Sequence, residues 1–77
     1  MPEKGNKMDN VTKETQQIII TQELTLARNT VYLFELRARI AKKIGDEQGL
    51  QAAKTEMEKW MKAVDELERI AKELIEH

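Results

Sequence analysis

Two apolar stripes in this chain match one another when one of them is taken in reverse, and nothing else in the sequence narrows the fold as much. The first stripe is Ile20, Leu24, Ala27, Val31, Phe34, Ala38 and Ala41, at alternating steps of four and three. The second is Leu50, Ala53, Met57, Trp60, Val64, Leu67, Ala71 and Leu74, with the same alternation. This is the spacing of a helix whose seam lies along a partner helix. A short interruption at Gly45 and Asp46 separates the two, and a connection of that length makes neighbouring helices antiparallel. Ala41 then faces Ala53, Ala38 faces Met57, Phe34 faces Trp60 and Val31 faces Val64. Further from the turn, Ala27 faces Leu67, Leu24 faces Ala71 and Ile20 faces Leu74. Large residues oppose small ones several times, and the alanines nearest the turn allow a close approach of the backbones. The sequence therefore predicts an all-α fold, an antiparallel coiled-coil-like hairpin with helices at about 10–44 and 47–75.

The ends of these helices carry their own signals. Gly45 suits the left-handed position that closes a helix, and Asp46 suits the N-cap of the next one. Lys42 and Lys43 complement the negative end of the first helix dipole, while Asp46 and Glu47 complement the positive start of the second. Residues 1–9 hold Pro2, Gly5 and Asn6 without apolar periodicity, which predicts a disordered leader, with Asp9 or Asn10 as the first N-cap.

The hairpin leaves apolar residues over. Ile19, Leu26, Leu33, Leu36, Ile40 and Ile44 form a further stripe on the first helix, roughly 100–160° around from its seam. Burying one such side chain is worth about 1.5–3 kcal/mol, so six left in water forgo on the order of 10 kcal/mol. That matches the whole stability of a small domain. The second helix adds Met61, Ala63, Ile70 and Ile75 off its seam. A second copy of the hairpin is the simplest cover, since most oligomers are symmetric and two-fold. The expectation is a homodimer forming a four-helix bundle with the first helix central.

Composition limits the remaining options. A chain of 77 residues holds one small domain, and such domains need disulfides, metal, regular helix packing or oligomerisation to be stable. There is no cysteine, which removes disulfides and thiolate metal sites. No apolar run approaches the roughly 18 residues of a membrane span, and the first residues are too polar for a secretory leader, so a cytoplasmic protein without membrane contact is expected. No serine is present, and the one histidine is His77. Glu73 and His77 share metal-ligand spacing, yet two ligands at a terminus make a poor site. The carboxylates are spread over solvated helix faces, with no inward pair for acid–base work. The sequence thus predicts a non-enzymatic protein without cofactor, catalytic residue or metal site.

One charge asymmetry stands out against a net charge of −1. Between Arg28 and Lys43 there are five basic residues and one acidic, and Arg28, Arg39, Lys42 and Lys43 share an arc with Tyr32 and Glu35. From Leu50 to Glu76 there are five basic residues and seven acidic. The expected function is an interaction or assembly module that self-associates and binds a protein partner, of adaptor, chaperone or inhibitor type. The alternative is an RNA-binding dimer whose basic stripe sits on phosphates. In layout the expected dimer is similar to the small hairpin dimers of the Rop type, plasmid copy-number regulators that bind RNA; no motif is shared.

Overall fold

The computed structural model describes residues 11–76, which form two helices packed side by side. Helix α1 spans Lys13–Ile44 and helix α2 spans Glu47–Glu76. The predicted leader and its caps Asp9 and Asn10 lie outside the described residues. α1 begins three residues later than about 10 because Thr12 supplies the cap. Its backbone is extended (φ −66°, ψ 160°), and its hydroxyl oxygen accepts from the Thr15 amide at 3.1 Å. The Gln16 side chain donates back to the Val11 carbonyl at 2.9 Å, tying the entering chain to the first turn. The Thr12 bond satisfies an amide that no helical carbonyl can reach.

α1 then runs 32 residues without interruption, although threonine is a poor helix former. Thr21, Thr25 and Thr30 donate their hydroxyls to the carbonyls of Gln17, Thr21 and Leu26, one turn back. Local bonding of this kind keeps each hydroxyl satisfied without a tertiary partner.

The reversal is fixed by backbone hydrogen bonds. Gly45 adopts φ 79° and ψ 21°. Its amide donates to the Lys42 carbonyl at 3.3 Å, and the Asp46 amide donates to the Ala41 carbonyl at 2.8 Å. That pair of bonds is a Schellman closure, which takes up carbonyls left free at the end of α1. Asp46 immediately caps α2, accepting from the Gly49 amide on its carboxylate at 2.9 Å. Helix end, turn and helix start occupy two residues, leaving α2 no direction but back along α1.

Packing follows the seams. The buried residues are Leu24, Ala27, Ala38, Ala41 and Ala53, four of them alanine. The other ten seam positions, among them Phe34, Trp60 and Leu67, are half-buried. Ile20 and Leu74 line one cleft, Val31 and Val64 another, Ala41 and Ala53 a third, as the antiparallel register requires. The Arg28–Glu68 ion pair, at 2.6 Å, bridges the helices in that register. On the outer face of α2, Arg69 pairs with both Glu66 and Glu73, one turn to either side. The hydrogen bond from Arg69 holds the Glu66 carboxyl below its ordinary range.

Gly45→Ala tests the turn. Nothing lies within 4 Å of an added Cβ there, so only the left-handed backbone opposes the change. The expected loss is about 1–2 kcal/mol, measured by urea unfolding. Leu24→Ala removes the largest buried side chain and should cost about 2–5 kcal/mol in the same assay.

Candidate interaction surface

α2 is apolar along one arc and α1 along two, and the hairpin satisfies only one of these two. Every residue of the second α1 stripe is exposed, from Leu36 at 37% through Leu26 at 58% to Ile40 at 60% and Ile44 at 70%. Ile18 extends the apolar surface at the N-terminal end of α1. Ile19, Leu26, Leu33 and Ile40 stand seven residues apart. In a straight helix a seven-residue repeat drifts by about 20° per step, the same drift as the seam, so stripe and seam keep a constant angle. Leu36 and Ile44 flank this line on either side.

The stripe meets α2 at the turn. Ile40 and Ile44 share an open cleft of about 310 Å³ with Phe34, Ala41, Ala52 and Ala53, and Arg37, Gly49 and Glu56 form its rim. The Arg37 guanidinium carbon lies 5.3 Å from the centre of the Phe34 ring, within the range of a cation–π contact. Cleft and stripe form a continuous apolar surface on one side of the hairpin. Three further large side chains on the chain's surface are Met61, Ile70 and Ile75. Met61 belongs to the opposite side, where it lines a smaller cleft with Arg28, Val31, Val64 and Asp65.

The basic arc lies on that opposite side. Arg28 is engaged by Glu68 of α2, and Arg39 by Glu35 one turn before it at 2.8 Å. Lys42 and Lys43 lie in the last turn of α1, where the helix carbonyls favour positive charge, and neither has an ion-pair partner among the described residues. Tyr32 is exposed among them. So half of the basic residues expected to form a phosphate-binding stripe are already neutralised within the hairpin.

Two charged residues were not distinguishable as special in the sequence. Among the described residues, three of the four arginines have an acidic partner and Arg37 has none. Glu23, likewise without a partner, lies on the same flank of α1, between seam and stripe. The signal was available in the spacing: Glu23, Thr30, Arg37 and Ile44 also recur every seven residues, beside the apolar line.

Among the described residues no group of three or more histidine, cysteine, aspartate or glutamate side chains is placed to hold a metal ion. None of their helices is long and apolar enough to cross a membrane. No protein-family model matches the sequence, and no curated protein or solved structure matches it either.

The ion pairs around the basic arc are exposed and should contribute little. Arg28→Gln and Arg39→Gln are each expected to change unfolding free energy by less than about 1 kcal/mol, measured by urea denaturation.

Proposed function

We propose that this chain is a non-enzymatic helical interaction module that self-associates through the outer stripe of α1 and presents the remaining helix surface to a protein partner. The observation that carries this reading is the exposure of all six stripe residues, Ile19, Leu26, Leu33, Leu36, Ile40 and Ile44, on a helix whose other apolar arc is already used. Contiguous apolar surface of this extent is characteristic of a face that another protein covers. A second hairpin supplies a matching face, and two hairpins joined through α1 give a four-helix assembly with the α1 helices central.

The small core supports the same conclusion. Five buried residues, mostly alanine, remove little apolar area from water. Helices take most of their stability from tertiary packing, and one seam of this kind stabilises a hairpin marginally. An assembly that also buries the second stripe adds several kcal/mol. On this reading folding and association are coupled, and stability depends on protein concentration.

Leu33→Glu and Ile40→Glu test the reading. Each places a carboxylate in the proposed interface, Leu33→Glu away from α2 and Ile40→Glu at the cleft it shares with Ala52 and Ala53. The midpoint of thermal unfolding, followed by circular dichroism, should rise with concentration in the unaltered protein. Either substitution should abolish that dependence and lower the midpoint by more than 10 °C, as expected for a loss above about 2 kcal/mol in a domain of this size. Tyr32→Glu, on the other side of α1, should leave both unchanged. A concentration-independent midpoint that survives Leu33→Glu would remove the support for self-association. Salt-sensitive binding of generic RNA that disappears on combined Arg39→Gln, Lys42→Gln and Lys43→Gln substitution would favour the nucleic-acid reading instead.

A further inference from the structure

We infer that the partner on the α1 stripe is a second copy of α1 running antiparallel, in one register, with its two-fold axis between residues 29 and 30. The inference rests on the self-association proposed above and specifies its geometry. Four stripe residues are seven apart, so only registers that differ by whole heptads bring apolar residues opposite one another. With the axis between 29 and 30, Ile19 faces Ile40 of the second copy and Leu26 faces Leu33, so all four residues of the line are matched. A shift of one heptad in either direction leaves Ile40 or Ile19 without an apolar counterpart.

Charge selects the same register independently. Glu23 and Arg37 lie on one flank of the stripe, 14 residues and roughly 21 Å apart along α1, too far to pair within a chain. Neither has an ion-pair partner among the described residues. In an antiparallel pair of helices equivalent flanks face each other, so Glu23 of each copy meets Arg37 of the other, twice per dimer. The shifted registers place Glu23 opposite Thr30 or Ile44. A parallel pairing brings unlike flanks together, so Glu23 lies beside Gln22 of the second copy and Arg37 beside Leu36, and neither charge finds a partner. Apolar spacing and charge spacing are separate features of the sequence, and they agree on one arrangement.

The arrangement also gives the far end of α1 a neighbour. α1 begins at Lys13, whereas α2 ends at Glu76, opposite about residue 18, so the first turn of α1 extends past its own α2. In the inferred dimer that overhang lies alongside the second copy's turn, next to the cleft formed by Ile40, Ile44 and Ala52.

Single cysteines on the other flank of the stripe determine the register, in a chain that has no cysteine of its own. Gln22→Cys, Asn29→Cys and Leu36→Cys are treated with a bis-maleimide shorter than the roughly 10 Å between successive heptads. Asn29→Cys should crosslink to itself. Gln22→Cys and Leu36→Cys should not crosslink alone, but should do so when the two are mixed. Self-crosslinking at Gln22→Cys or Leu36→Cys would mean a different arrangement of the two helices. Crosslinking of Asn29→Cys to either of the others would mean a shifted register. Both results would overturn the inference while leaving self-association standing, whereas an uncrosslinked monomer would remove both. As a second measurement, Glu23→Arg or Arg37→Glu alone should weaken the dimer about tenfold, and the two together should restore it. Equal weakening by the double substitution, with helicity unchanged, would contradict the pairing.

Discussion

Two helices lying side by side enclose a single line of contact, and each can bury only the residues that face the other. That geometric limit governs this protein. α2 conforms more closely: most of its apolar residues lie on the seam, with Met61, Ile70 and Ile75 exposed beside it and charged residues over most of the rest of its surface. α1 does not conform, since it carries a second arc whose residues the hairpin leaves exposed. The excess cannot be moved to the seam by rotating α1, because rotation would expose Leu24, Ala27 and Ala38 in exchange. The hairpin therefore holds a packed interior and an apolar exterior together, and the proposed function is a consequence of that conflict.

The reversal at Gly45 and Asp46 makes the conflict sharp. Its backbone hydrogen bonds fix how far α2 is displaced along α1, and the interhelical pair Arg28–Glu68, whose members stand 40 residues apart in the chain, agrees with the result. A longer or looser connection would let the helices slide or rotate to share out their apolar surface. With both helix ends closed in two residues, the second arc is held outward along nearly the whole length of α1. A rigid apolar face of this shape presents its side chains in fixed order, which favours a partner of matching heptad spacing over an adaptable one.

Much of this was legible in the sequence, for identifiable reasons. The seam residues from Ile20 to Leu74 and the Gly45-Asp46 break follow from periodicity and from backbone freedom, both local properties of the chain. The start of α1 was less legible, since Asp9, Asn10 and Thr12 are all good caps, and the polar run from Thr12 to Gln17 has no period to choose among them. The second arc was visible as a surplus, but which charges flank it unpaired was not. Arg28, Arg37 and Arg39 are alike in composition and differ only in whether a carboxylate from α2 or from the preceding turn comes within reach. The identity of Glu23 and Arg37 as the unmatched pair beside the stripe required the hairpin register to be settled first.

The central claim is that the α1 stripe is covered by another copy of the chain, and the mass of the folded species in solution tests it most directly. Sedimentation equilibrium of the unaltered protein, from nanomolar to tens of micromolar, should show a single transition to twice the 9.0 kDa chain mass, complete at micromolar concentration. Helicity followed over the same range should rise with that transition. A species of 9.0 kDa that remains fully helical and soluble throughout, its six stripe residues in water, would contradict the account.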